Sequence, residues 1–201
     1  MKYFLLLILS FLISCAGPNP NPGERTADLL WTQYKFENSL DIIKPRAENG
    51  LPWAQLRLGI AYQLGGGVKQ DFGEALKWYK KVAIRKADGG WSNGKMIGSF
   101  GKPGYFNQNS DAMVAQYQIA TIYLKSNKKY EDVVKAYLWA NYVLKESKGQ
   151  NIFYCCEFMG GRWITRGQIQ TTSEEINKKI TPKQKKDADL ILNNWVPIDD
   201  L

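Results

Sequence analysis

The chain copies part of itself. Ala54-Gln55-Leu56-Arg57-Leu58-Gly59-Ile60-Ala61-Tyr62 returns 61 positions later as Ala115-Gln116-Tyr117-Gln118-Ile119-Ala120-Thr121-Ile122-Tyr123. The same offset carries Asp71 to Asp132, Ala75 to Ala136, Trp78 to Trp139 and Val82 to Val143. A shorter offset of 36 joins Phe36, Leu40, Ile42 and Ala47 to Phe72, Leu76, Trp78 and Ala83. Self-similarity at such spacing is the signature of helical hairpins that cannot bury their apolar faces alone and do so by stacking. The expected fold is therefore all-α, a short solenoid of stacked hairpins. Frames of this kind hold partners more often than they do chemistry.

The first residues read as an export signal. Lys2 supplies a positive charge and Tyr3 to Leu12 an apolar run of about ten residues, too short to span a bilayer as a mature helix. The run closes on Leu12-Ile13-Ser14-Cys15, which resembles a bacterial lipobox. That resemblance implies cleavage after residue 14, lipidation of Cys15 and anchoring by several acyl chains. The alternative is an ordinary signal peptide cut after Ala16. Residues 15–25, with prolines and asparagines that do not pack, read as a flexible tether. Ala16, where inner-membrane lipoproteins often carry aspartate, directs the expectation to the periplasmic face of the outer membrane, the inner membrane ranking second.

What remains, residues 26–201, is one domain that can bury roughly 70% of its unfolded surface without a metal or disulfide. The net charge of +8 over 201 residues ordinarily suggests nucleic acid. In an exported chain, an acidic protein or anionic headgroups fit better, and a solvated basic surface serves equally well. Cys155 and Cys156 are adjacent, which disfavours a bridge between them because disulfide geometry needs well-separated Cα atoms. Two buried thiols, a vicinal disulfide and an intermolecular bridge all stay open. No metal site is expected, since the chain has no histidine and no second cysteine pair.

Along the chain, a first helix is expected from about residue 26 to 44, limited by Pro45. A second opens at Pro52, carries Ala54, Leu58, Ala61 and Tyr62 on one face, and stops at Gly65-Gly66-Gly67. Asp71 with Glu74 three residues on reads as a capping box. The helix it opens sets Ala75, Trp78 and Val82 on one stripe, and Trp78 and Trp139 are expected as equivalent core residues.

Ala54, Gln55, Leu58, Gly59, Tyr62, Gly65, Gly67, Val68, Asp71, Ala75, Trp78, Tyr79 and Ala83 together resemble the Sel-one-like repeat, a relative of the tetratricopeptide repeat. The resemblance implies a right-handed solenoid, with copies near 52–86 and 112–147. The second copy departs from the pattern: Ala120 stands where the first has Gly59, and Lys125-Ser126-Asn127-Lys128-Lys129 replaces the glycine loop. Thr181-Pro182-Lys183-Gln184, leading to Ala188, Leu190 and Trp195, is similar to the helix that closes such arrays, here near 181–195.

Against the period of 36, the longer offset implies an insertion of about 25 residues near 88–110. It is glycine-rich and holds Trp91, Phe100, Tyr105 and Phe106. Long loops of this kind are functional or disordered, and aromatics weigh against plain disorder. They either lie on the solenoid as a lid or form a partner-binding patch, as large aromatics do at interfaces. Ile152 to Gln168 is a second departure from the repeat.

Catalytic constellations are missing. Without histidine, neither Ser-His-Asp nor Cys-His chemistry is available. Ser-x-x-Lys occurs at Ser92/Lys95, Ser99/Lys102 and Ser126/Lys129, but in expected loops and with no Lys-Thr-Gly elsewhere. Gly65-Gly66-Gly67 lacks the Lys-Ser/Thr ending of a phosphate loop. Glu174/Glu175 and Asp199/Asp200 are sequence neighbours and do not face each other across a substrate. Lysines from Lys178 to Lys186 read as a solvated face. No cofactor is expected.

The expected function is thus non-enzymatic binding of another protein. Some Sel-one-like lipoproteins serve as immunity proteins against antibacterial effectors such as type VI secreted phospholipases, and size, export signal and a heavily inserted array give this chain the same look. An envelope scaffold or assembly adaptor is the alternative. A cell-wall-acting enzyme is the remote third.

Overall fold

A computed structural model describes residues 22–84, 110–126, 129, 131–147, 151–153 and 163–193. In chain order the elements are α1 (Pro22–Thr32), α2 (Phe36–Glu48), α3 (Pro52–Leu64), α4 (Phe72–Ala83), α5 (Ser110–Lys125), α6 (Val133–Glu146), β1 (Ile152–Phe153), β2 (Trp163–Ile164), α7 (Arg166–Lys179) and α8 (Pro182–Leu192). The array is an all-α helical-repeat solenoid, with one two-residue antiparallel ladder pairing Ile152 with Ile164 and Phe153 with Trp163. Each of the first seven helices packs chiefly on its chain neighbours. α3 also touches α5, α5 touches α7 and α8 lies on α6, so the helices form two rows.

The N-terminal part corrects one expectation. Instead of one helix to residue 44 there are two, broken at Gln33–Lys35, and Pro45 sits inside α2. Tyr34 N–H donates to the Trp31 carbonyl at 2.9 Å and Lys35 N–H to the Leu30 carbonyl at 2.9 Å, the bond pattern of a Schellman cap. The left-handed position in such a cap is normally glycine, yet Tyr34 occupies it at φ 60°. Nothing in that backbone signals a stop from composition. Pro45 has no N–H to give the Asp41 carbonyl, so it costs the last turn of α2 one bond, and Arg46 Nη1 donates to the adjacent Ile42 carbonyl at 3.0 Å.

The repeat is copied down to individual hydrogen bonds. Gln55 Nε2 donates to the Ala47 carbonyl at 3.1 Å, and Gln116 Nε2 to the Ala83 carbonyl at 3.0 Å. Each repeat glutamine thus ties its helix to a carbonyl at the end of the helix before it; at Ala47 it joins the Gly50 N–H, which donates to the same oxygen at 3.0 Å. Asp71 N–H donates to the Tyr62 carbonyl and Asp132 N–H to the Tyr123 carbonyl, both at 2.9 Å. Asp71 caps α4 by accepting from Gly73 N–H and Glu74 N–H, and Asp132 caps α6 by accepting from Lys135 N–H. The expected capping box at Asp71 is only half formed. Its own N–H is committed to Tyr62, and the Glu74 carboxylate turns to Lys77 at 3.3 Å. Full boxes stand at Thr165/Gln168 and Thr181/Gln184.

The departures between the two copies also have a physical reason. A Cβ at Gly59 would lie 2.6 Å from the Tyr79 ring, so glycine is required for that ring to be buried. The equivalent pair in the second copy is Ala120 and Ala140, both buried, where the large partner has shrunk and the glycine is no longer needed. Gly59→Ala should therefore cost about 1–3 kcal/mol as overpacking of a filled core. In a Tyr79→Ala background the same change should cost little, and a denaturant double-mutant cycle checks it.

The tryptophans divide. Trp139 is fully buried, as expected, whereas Trp78 is only half-buried and has Lys81 Nζ 4.0 Å above its ring. The two helices have different neighbours: α4 packs on α3 and α5, whereas α6 packs on α5, α7 and α8. Tyr79 is the fully buried aromatic of α4.

Candidate protein-binding face

The polar constellations that the sequence offers as chemistry are structural where they are described. The glycine loop after α3 is filled by protein: a Cβ at Gly66 would meet the Trp31 ring at 2.3 Å, and one at Gly67 would meet Leu40 and Phe36 at 2.8 and 2.9 Å. No room is left there for a phosphate. Ser126 follows the C-terminus of α5, with its N–H on the Ile122 carbonyl at 3.0 Å, so it does not open a helix as a Ser-x-x-Lys nucleophile must. The other two Ser-x-x-Lys pairs lie outside the described residues. Glu175 pairs with Lys125 at 2.9 Å, and Lys179 bridges Glu131 at 2.9 Å, so each ties α7 to the loop end of the second hairpin. Lys178, Lys183 and Lys186 are exposed, the solvated face expected of them. Among the described residues no group of acidic, cysteine or histidine side chains has metal-binding spacing, and no helix is long and apolar enough to cross a membrane.

Polar networks lock neighbouring hairpins. Tyr79 Oη donates to Gln63 Oε1 at 2.5 Å, and Gln63 Nε2 donates to Gln118 Oε1 at 3.2 Å, joining α4, α3 and α5. Tyr117 and Thr172 hydroxyls meet at 3.2 Å between α5 and α7. Tyr137 Oη donates to Asp189 at 2.7 Å between α6 and α8. Burial, then the Asp189 hydrogen bond and charge, push the Tyr137 phenol up to about 12, so it stays a donor.

The centre of the first half is a charge cluster. Arg57 of α3 is fully buried. Its Nε and Nη2 donate to the two Asp28 carboxylate oxygens at 2.5 and 2.8 Å, and Nη2 also pairs with Glu24 at 3.0 Å. Nη1 donates to the Trp53 carbonyl at 3.3 Å, and the guanidinium lies 5.4 Å from the Trp53 ring centroid. The Glu24 carboxyl is pushed up to about 7 by burial, opposed by Arg57 and helped by Asp111 and Asp28. Sequence reading assigns Arg57 no role, because both its carboxylate partners lie about 30 residues away on another helix. An arginine standing in the middle of the apolar run Leu56 to Ala61 is the one local signal of burial.

Cys15, the insertion aromatics Trp91, Phe100, Tyr105 and Phe106, the pair Cys155/Cys156 and Trp195 lie outside the described residues. Among the described ones, the exposed large apolar side chains are Leu29, Tyr34, Leu64, Leu190 and Ile191. Tyr34 is 81% exposed, and its ring sits edge-on to Phe36 at 6.0 Å, which in turn meets Trp31 at 4.7 Å. Because Trp31 presses on Gly66, the ends of α1 and α3 share one rim, carrying Leu29, Tyr34 and Leu64. The sequence pattern gives Leu29, Tyr34 and Leu64 no role, since none is a repeat position.

Comparison with known proteins agrees with the geometry. The Sel1 repeat matches residues 54–84 and 114–141, the α3–α4 hairpin and most of α5–α6. No curated protein matches the chain. The fold is similar to the crystal structure of c5321, a protective antigen present in uropathogenic Escherichia coli strains displaying an SLR fold, at TM-score 0.56 and 19% identity. That likeness covers 87% of this chain and 30% of the other, so the chain spans under a third of that protein's length.

Proposed function

We propose that this Sel1-like repeat protein is a non-catalytic, lipid-anchored envelope protein that binds another protein, acting as an immunity protein against an antibacterial effector such as a type VI secreted phospholipase. Sel1 repeats generally mediate protein–protein interaction. The observation that carries the reading is the Arg57 cluster together with the two glutamine cross-links, which fix successive hairpins into one preorganised frame. A rigid surface loses little freedom on association, so its contacts convert efficiently into affinity. The rim of Leu29, Tyr34 and Leu64 and the insertion aromatics Trp91, Phe100, Tyr105 and Phe106 are the proposed contact residues, large rigid side chains of the kind that anchor interfaces. Lipidation at Cys15 would hold the frame on the periplasmic face of the outer membrane.

The test is protection. A sensitive bacterium carrying the chain should survive a phospholipase effector found encoded next to its gene, and mass spectrometry should find acyl mass on Cys15. Cys15→Ala should retain the signal and protect less. Equal killing with and without the chain would refute the immunity reading. In that event, recovery of an envelope protein by cross-linking to the rim would favour a scaffold.

A further inference from the structure

The stack closes on a helix whose outer face has no cover. α8 packs chiefly on α6: Ala188 is buried, Leu192 lies partly buried against the core, and Asp189 accepts the Tyr137 hydroxyl. On the other side of the helix, Lys183, Lys186 and Leu190 recur at intervals of three and four and share the outward face, flanked by Ile191. Leu190 is 64% exposed and Ile191 44%. A helix that ends a solenoid ordinarily turns a polar face to water, so two uncovered aliphatics there call for a contact. Lys185 Nζ donates to Asn177 Oδ1 at 3.0 Å, which holds the end of α7, and with it exposed Lys178, beside the opening of α8. We propose that this face is a docking surface for an acidic protein segment, whose carboxylates meet Lys178, Lys183 and Lys186 while an apolar side chain covers Leu190 and Ile191.

Charge placement supplies the partner's chemistry. Lys178 to Lys186 holds five lysines and no acid. Two of them are engaged inside the fold: Lys179 with Glu131 and the Leu124 carbonyl, Lys185 with Asn177 and over the Tyr137 ring. The other three are exposed. Lys178 has a structural reason for its place, since a cation in the last turn of α7 complements the helix dipole. Lys183 and Lys186 have none. They stand in the opening turns of α8, where the dipole favours acidic residues and the first turn holds no acid. Helix stability thus argues against these two lysines, a local conflict of the kind found at functional surfaces. Asp187 is exposed at the flank and offsets them only in part, and Asp189 is held by Tyr137.

A membrane surface fits less well. An interfacial helix lays a broad apolar face among the headgroups, whereas Ala188 and Leu192 are turned inward and only Leu190 and Ile191 are left outside. Two aliphatics bordered by lysines have instead the layout of a protein contact, an apolar centre with a charged rim that steers an oppositely charged partner. The proposal rests on the protein-binding reading above and gives it a partner chemistry and a second surface, on the last helix of the stack rather than at the ends of α1 and α3.

The test titrates the full chain with a short helical peptide that sets glutamates around a leucine stripe, and with its glutamine counterpart. Amide shifts from the glutamate peptide should concentrate in residues 178–193, and the glutamine peptide should bind roughly tenfold more weakly at low salt. Lys183→Glu combined with Lys186→Glu suits the helix dipole and leaves the Thr181/Gln184 cap in place, so the chain should stay folded. That variant should lose about tenfold in affinity and most of the salt dependence. Leu190→Ser should weaken binding with the salt dependence intact. Shifts elsewhere, no shifts, or equal binding of the two peptides would overturn the proposal. Tighter capture through the same lysines by vesicles of three parts phosphatidylcholine to one part phosphatidylglycerol would also overturn it, in favour of a membrane. A gain in peptide affinity on removing residues 194–201 would do so too, making the chain's own tail the occupant. In the protection assay, full protection by the charge-reversal variant would overturn this surface and spare the protein-binding reading. Failure of the parent chain to protect would strike the immunity reading and leave the peptide result to decide the surface.

Discussion

Trp139→Ala should lower the unfolding free energy by about 3–5 kcal/mol, read as a drop in denaturant midpoint at constant slope. Trp139 has no solvent exposure and is the largest fully buried side chain among the described residues, on a helix packed by α5, α7 and α8 at once. Removing it leaves a cavity that three helices must collapse together, and their hydrogen bonds hold them apart. Tyr137 to Asp189 fixes α6 against α8, and Tyr117 to Thr172 fixes α5 against α7. Trp78→Ala, at the repeat-equivalent position, should cost well under half as much. Its ring packs on the core with one face only and has the Lys81 ammonium 4.0 Å above it. Equal losses at the two sites would mean that α4 and α6 are covered alike.

The second large effect is at Arg57. Arg57→Met keeps the volume but leaves Asp28 and Glu24 buried without their cation, a change of the class that costs about 3–5 kcal/mol. The loss should be greater at pH 8 than at pH 5.5, since at the lower value Glu24 carries its proton and only Asp28 is left charged. Adding Asp28→Asn to Arg57→Met should recover part of the stability, because the penalty lies in the orphaned charge more than in the lost bond. A double variant no more stable than the single one would place the cost in packing against Trp53 instead.

How far the sequence announced this structure depends on the range of the interaction. Helical spacing put Ala54, Leu58, Ala61, Ala75 and Val82 in the core, and they are buried. Thr181 before Pro182 opens α8. Each of these signals is local. Gln55 and Gln116 were visible as repeat residues, but their carbonyl partners on the preceding helix follow only from the stacked geometry. Arg57 was hidden because its carboxylates come from α1, a helix the sequence merges with α2. That merger has a plain cause: the break rests on Tyr34 in a left-handed backbone, a residue that carries no turn signal. α7 was missed although Thr165 and Gln168 spell a capping box and Ile169, Thr172 and Ile176 have helical spacing. The glycines and cysteines just before it drew the reading toward an irregular segment. Trp78 was misplaced because repeat equivalence speaks for position on a helix and says nothing of what covers it.

Binding and catalysis leave different stoichiometries, and that difference bears most directly on the proposed role. If a neighbouring gene encodes the proposed phospholipase effector, the purified chain should be titrated into a fixed amount of it while turnover is followed. A frame that occludes its partner predicts a linear fall in activity that ends at one equivalent and does not deepen with time. Inactivation of excess effector by a small fraction of the chain would show turnover, and full activity at several equivalents would show no occlusion; either result would contradict the account.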